Sequence, residues 1–156
     1  MKEPKDHLNL QEFIRKNNIP AEIMEMPRLT RTAQQAADVL GVDINQIIKS
    51  VVFVTKSGSG VIGIVNGGNR VSHHKVEEIV GETVNTASPE QVLQFTGYKA
   101  GAVPPIDTGL RTIIDNDVMK NDFCYAGGGS EMHLIRISPH VIKKLTNAIV
   151  ADIVKT

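Results

Sequence analysis

The chain has 156 residues, 41% apolar and 22% charged, which is room for one domain with an ordinary hydrophobic core. Seventeen Lys and Arg balance seventeen Asp and Glu, so the net charge is zero; this argues against a polybasic nucleic-acid binder, though not against a partner held by a small local patch. The lone Cys124 cannot form an internal disulfide, Trp is absent, and four Phe and two Tyr are too few for a surface that stacks nucleobases.

The start, Met1-Lys2-Glu3-Pro4-Lys5-Asp6, has no apolar signal core, and runs such as Val51 to Val54 are too short to span a bilayer. A cytoplasmic protein without a membrane partner is expected. No repeat or low-complexity linker interrupts the chain, which reads as one domain over 1–156.

In chain order, Leu10, Phe13 and Ile14 have helical spacing, with Asn17-Asn18 as a stop. Ala21 to Met26 reads as a strand ending before Pro27. Thr32 caps the next helix, with Gln35 placed to reach back. Its stripe is Ala33, Ala36, Ala37 and Leu40, and Gly41 ends it. Asp43 caps a short helix through Ile48. Ser50 to Thr55 is a β-branched strand, and Lys56-Ser57-Gly58-Ser59-Gly60 turns it into a second strand, Val61 to Val65. Ser72 starts a helix closed by Gly81. Val84 to Ala87 is a short strand, and Ser88-Pro89-Glu90-Gln91 is a strong helix start. Tyr98 to Asp107 is a loop. Thr112 to Ile114 is a strand, and Asp117 caps a turn. Phe123 to Ala126 and Met132 to Ile137 are strands flanking Gly127-Gly128-Gly129. A last helix begins at Ser138-Pro139, with Val141, Ile142, Leu145 and Ile149 on its apolar face. The hairpins indicate an α+β fold with a mixed, largely antiparallel sheet.

The chemistry-bearing residues are sparse. His7, His73, His74, His133 and His140 include no i, i+4 pair on one helix, and Cys124 has no cysteine partner. Gly58-Ser59-Gly60 lies in a turn and is no nucleophile elbow. Gly127-Gly128-Gly129-Ser130 is a phosphate cradle, a tight link between strands, or a close approach of main chain to a ligand. Lys49, between two apolar segments, either snorkels to water or points into a pocket where its ammonium holds an anion or a developing negative charge. Gly101-Ala102-Val103-Pro104-Pro105 is a surface turn or a stiffened loop with outward amides.

Four stretches, in order, resemble the YbaK/prolyl-tRNA synthetase-associated domain, the INS-type family of aminoacyl-tRNA editing domains. Thr32 to Gly41 resembles its Thr-led, alanine-rich helix, and Ile47 to Phe53 its lysine-before-strand signature. Thr96 to Pro105 resembles its Gly-Tyr loop and Gly-x-x-x-Pro motif. Ala126 to Ser130, followed by a strand and Ile137-Ser138-Pro139, resembles its glycine-rich close. The likeness runs from about Gln11 to Val150. The chain departs from the family's usual residues at Ala102, Pro104 and Ser72, which bears on the lining of the pocket and its amino-acid preference.

The resemblance implies a mainly antiparallel sheet flanked by helices, with a pocket between the lysine and the two glycine loops. It also implies hydrolysis of the ester joining a wrong amino acid to its tRNA. Lys49 matches the family's essential lysine, Gly101 the start of the Gly-x-x-x-Pro loop and Pro105 its end. On this basis Lys49 and Gly101 are the expected catalytic residues. Thr32, Ala102, Val103, Pro105, Gly127, Gly128 and Gly129 are expected to bind substrate, with the Gly101 and Ala102 amides on the ester carbonyl. Arg28, Arg31, Lys56, Lys75 and Lys99 are the expected tRNA contacts. No metal or cofactor is expected. The expected partner is the acceptor end of an aminoacyl-tRNA carrying Ala, Cys or Ser, on tRNA-Pro or a related tRNA, with a synthetase as a further partner of a monomeric chain. Two other readings are an idle aminoacyl-tRNA or synthetase binding module and a hydrolase of small amino-acid esters.

Overall fold

The computed structural model describes residues 3–156; Met1 and Lys2, the first two residues of the polar start, lie outside them. Five α-helices and eight strands are present among the described residues. In chain order they are α1 (His7–Lys16), β1 (Ala21–Glu25), α2 (Ala33–Leu40), β2 (Ile48–Thr55), β3 (Gly60–Asn66), α3 (His73–Val80), β4 (Val84–Thr86), α4 (Pro89–Thr96), β5 (Arg111–Asp115), β6 (Cys124–Gly127), β7 (His133–Ile137), α5 (Pro139–Thr146) and β8 (Ile149–Ala151).

The helix starts are local chemistry. The Thr32 hydroxyl accepts from the Gln35 amide while the Gln35 side chain caps the Thr32 amide, and Ser88 and Gln91 repeat the arrangement on α4. Ser72 and Ser138 cap α3 and α5. Alternation along β3 sends Ile62 and Ile64 to one side and Val61 and Val65 to the other, all buried, so this strand is central on both faces.

Five strands form a mixed sheet in the order β4-β2-β3-β5-β8. β2 is antiparallel to β3 and β4, while β5 is parallel to β3 and β8. The remaining three strands form a separate antiparallel sheet, β1-β7-β6. The main core lies between them: Ile48, Val52, Ile62, Ile64 and Ile114 from the larger sheet meet Cys124, Ala126, Ile135 and Ile137 from the smaller. α2 packs its alanine stripe, Ala36 and Ala37, against Met26, Ile47 and Leu134.

The structure corrects several expectations. The single sheet is two. The helix expected over 43–48 is one 3-10 turn, Ile44–Gln46, so β2 begins at Ile48 and Lys49 is a strand residue. The turn after β5 is capped by Asp115, whose carboxylate accepts from the Asp117 and Ile153 amides, and not by Asp117. α5 stops at Thr146 because Asn147 takes a left-handed conformation (φ 54°), a geometry asparagine tolerates. Ile149 therefore belongs to β8, and it and Leu145 are exposed rather than part of an apolar helix face. The loop after Tyr98 is no surface turn: Ala102 to Ile106 are all buried.

Candidate active site

A cavity of about 330 Å³ is lined by residues of both sheets. One wall is β2 itself, from Ile48 to Val52, extended by Ala87 after β4 and Val92 on α4. The rest of the wall comes from the loop that contributes Gly101 and Val103 and from the end of β6, Ala126 and Gly127. Thr30 to Ala33, which lead into α2, complete the lining. Among the expected site residues, Lys49, Gly101, Thr32, Val103, Gly127 and Arg31 share this lining.

Lys49 makes no ion pair or side-chain hydrogen bond among the described residues. Partial burial, and secondarily the charge of Arg70, hold its pKa below the usual lysine value. A cation kept in this setting without a carboxylate partner is suited to an anionic ligand or an oxyanion.

The loop wall depends on two glycines for different reasons. Gly101 has φ 88°, a left-handed angle costly for L-residues, although a Cβ there would meet nothing nearer than Glu131 Oε1 at 4.0 Å. At Gly127 space decides: a Cβ would lie 2.4 Å from the Val103 carbonyl oxygen. The absent side chain lets the two loops touch, main chain to main chain. Behind them the buried Tyr98 donates its phenol proton to Asp107 Oδ2 at 2.7 Å, and burial with that carboxylate drives the phenol pKa upward.

Other expected residues stand elsewhere. The Ala102 amide donates to the Lys99 carbonyl at 3.0 Å and the Ala102 carbonyl accepts from Gly129, so of the two amides expected on the ester that of Ala102 is engaged within the loop. Pro105 is buried outside the lining. Gly128 and Gly129 are close-packed against the chain's own backbone, at His133 and at Asp6-His7 respectively, rather than against the cavity. Lys75 is tied to Asp152 at 2.8 Å and to the Val154 carbonyl at 2.8 Å, joining α3 to the C-terminal segment. Arg28, Lys56 and Lys99 are exposed and outside the lining. Arg31 reaches Glu131 at 3.0 Å, and the Glu131 carbonyl accepts from the Thr30 amide and hydroxyl.

Residue-type reasoning missed Glu131 and Ser50. Glu131 meets its partners about a hundred positions away in the chain, which no local pattern reveals. Ser50 lines the cavity beside Lys49, and its Oγ is buried with no hydrogen-bond partner. It also missed a histidine pair: the His7 and His133 rings stack at 3.7 Å, joining α1 to the start of β7. Burial, then the charge of His7, lowers the His133 pKa. Among the described residues no three His, Cys, Asp or Glu side chains are grouped to hold a metal ion. Cys124 is buried, donates to the Ile137 carbonyl, and has its pKa pushed up to about 12 by burial, so its thiol is not a poised nucleophile. No helix among the described residues is long and apolar enough to cross a membrane.

The profile of the aminoacyl-tRNA editing domain matches residues 28–145, a span that contains the cavity lining. The chain belongs to the aminoacyl-tRNA editing domain family. A proline–tRNA ligase of Thermotoga neapolitana is 28% identical over 119 residues, 74% of this chain and 20% of that protein. The proline–tRNA ligase of Staphylococcus aureus (strain Newman) is 26% identical over 122 residues, 76% of this chain and 21% of that one. The editing-domain chain thus spans about a fifth of the length of the ligases it matches. A solved structure described as a candidate trans-editing enzyme for prolyl-tRNA synthetase superposes with a TM-score of 0.89 at 33% identity, over 96% of this chain and 97% of that one. The mixed α+β architecture is that of the editing-domain fold.

Proposed function

We propose that this chain is a single-domain, trans-acting deacylase that hydrolyses the ester of a mischarged tRNA. The observation that carries the reading is the unpaired Lys49 sharing one cavity with Gly101, in a chain of the editing-domain family. An aminoacyl ester is already activated, so its hydrolysis needs position and charge stabilisation more than a protein nucleophile. Water adds to the ester carbonyl. The Lys49 ammonium and the Gly101 amide support the oxyanion, and collapse of the tetrahedral centre releases the amino acid and the tRNA 3′ hydroxyl. No metal takes part. The apolar wall of Ile48, Val52, Ala87 and Val92 suits a short side chain, and alanyl, cysteinyl and seryl esters are the expected range. One methylene changes affinity by only about 1–3 kcal/mol, so pocket size sorts these substrates weakly.

The tRNA is held by its acceptor end, with Arg28, Lys56 and Lys99 as the exposed cations free to meet phosphate. Few such contacts imply a shallow dependence on salt. The preferred tRNA is tRNA-Pro or a related one, and the synthetase is a further partner. A second reading, a binding module without turnover, is favoured by the engagement of the Ala102 amide, which removes one expected oxyanion donor.

The test is deacylation of a panel of mischarged tRNAs by the parent and by Lys49→Ala. Hydrolysis by the parent that is lost in a folded Lys49→Ala supports the deacylase. tRNA binding without turnover by the parent supports the binding module. Equal rates for both proteins would remove Lys49 from the mechanism.

A further inference from the structure

We infer that Ser50 is the residue that positions the aminoacyl group, by offering its main chain to the substrate as one strand offers itself to another. The inference rests on the deacylase reading and goes beyond it. In an antiparallel strand the N–H and C=O of alternate residues point to opposite edges. The Ile47 carbonyl accepts from Gly67 and the Thr55 amide donates to Ser59, both on the β3 side. The Val52 carbonyl accepts from Ala87 and the Lys56 amide donates to Thr83, both on the β4 side. Odd positions of β2 therefore face β3, and Ser50, like Val52, faces the other edge.

No strand ladder covers that edge at Ser50. β4 registers only with Phe53 to Thr55, and the bridge from β6 is confined to Ile47 and Tyr125. Among the described residues no loop or helix main-chain group bonds to Ser50 either. The gap coincides with the cavity. The Ser50 side chain gives a second, independent sign. Among the described residues its buried Oγ has no hydrogen-bond partner, and a buried hydroxyl without a partner is costly, so a bound group that reaches it would remove that cost.

An aminoacyl ester carries an α-ammonium donor and a carbonyl acceptor at the spacing of one residue of a strand. Docked on the open edge, its ammonium donates to the Ser50 carbonyl and its ester carbonyl accepts from the Ser50 amide. This holds the scissile carbonyl beside Lys49 and supplies the donor that Ala102 does not.

The experiment uses 3′-deoxy-3′-(L-alanylamino)adenosine, a non-hydrolysable copy of a charged 3′ terminus, and its propanoyl counterpart, which lacks the ammonium. Amide hydrogen exchange and ¹H–¹⁵N shifts are followed on the intact chain, alongside deacylation of mischarged tRNA. The alanyl compound is expected to slow exchange at Ser50 more than at Lys49 and Val51, whose amides already face β3. The propanoyl compound is expected to bind about tenfold more weakly or worse. Binding of the alanyl compound that shifts Gly101 but leaves Ser50 exchange unchanged overturns the inference, as does equal affinity for the two compounds. If neither compound binds and no mischarged tRNA is hydrolysed, the deacylase reading fails and this one with it.

Discussion

The two walls of the cavity are built by opposite means. The β2 wall is regular structure: a strand fixed by β3 along its whole length, presenting one charged side chain and an uncovered edge. The loop wall, where the Gly101 loop meets the end of β6, owes its shape to missing side chains, with Gly127 lying against the Val103 carbonyl and Gly101 bent to a left-handed angle. One wall contributes function through a side chain that is present, the other through side chains that are absent. A substitution on the strand should therefore change chemistry and spare the fold. A substitution in the loops should disturb the fold and lose chemistry as a consequence.

The sharpest test of that contrast is Lys49→Met, which keeps the stem and removes the charge. The kcat/KM for deacylation should fall at least about a hundredfold, the scale of losing one oxyanion-stabilising group. Thermal stability should hold or rise slightly. The sign follows from the lowered pKa of Lys49: the folded state binds this proton less well than the unfolded chain. Lys49 therefore opposes folding where it is charged in both states, and the parent gains stability as pH climbs from the folded to the unfolded pKa. Methionine removes the penalty at neutral pH. Activity runs the other way, because the ammonium is the working form and is lost as pH rises through the lowered pKa. A Lys49→Met protein that unfolds at markedly lower temperature would break the contrast.

The loop side predicts a different pair of results. In Gly127→Ala the new methyl meets backbone, which cannot rotate away, and overpacking of this kind costs about 1–3 kcal/mol. Chemical denaturation should show that loss, and deacylation should fall with it as the Gly101 loop is displaced. Gly101→Ala meets no obstacle and carries only the strain of its angle, about 1–2 kcal/mol. Its stability loss should be the smaller of the two. If Gly127→Ala is as stable as the parent, the loops are not in main-chain contact and the account of that wall is wrong.

The contrast also explains what could be read in advance. Helix starts at Thr32, Ser72, Ser88 and Ser138 were legible because a cap and its partner lie within three residues. The β2–β3 hairpin was legible for the same local reason. Lys49 and Gly101 were reached through a resemblance in ordered motifs, since no local rule separates a lysine facing a pocket from one facing water. Division into two sheets was invisible because it depends on β1 and β6 both pairing with β7, across more than a hundred residues in the case of β1. The glycine run stayed ambiguous for a related reason: a glycine that admits a ligand and one that admits a neighbouring backbone look the same in a sequence. The neighbours at His133 and Asp6-His7 show that Gly128 and Gly129 admit the chain's own backbone.

The weakest tie around the cavity gives the smallest effect. Arg31, at the start of α2, meets Glu131 of the glycine-rich loop at 3.0 Å, with side chains 59% and 39% exposed. An ion pair so open to solvent contributes at most about 1 kcal/mol and is screened by salt. Glu131→Gln should therefore lower Tm by no more than about 4 °C, a shift that shrinks further in high salt. The Glu131 carbonyl that holds Thr30 is retained in the variant, so the opening of the cavity keeps its shape. What changes is the availability of Arg31, which already lines the cavity and loses its carboxylate. If that guanidinium is drawn to phosphate when tRNA arrives, the variant should bind tRNA at least as tightly as the parent, with the salt slope of binding steeper by about one. A large drop in Tm would instead make the pair structural and place Glu131 among the residues that hold the loop wall up.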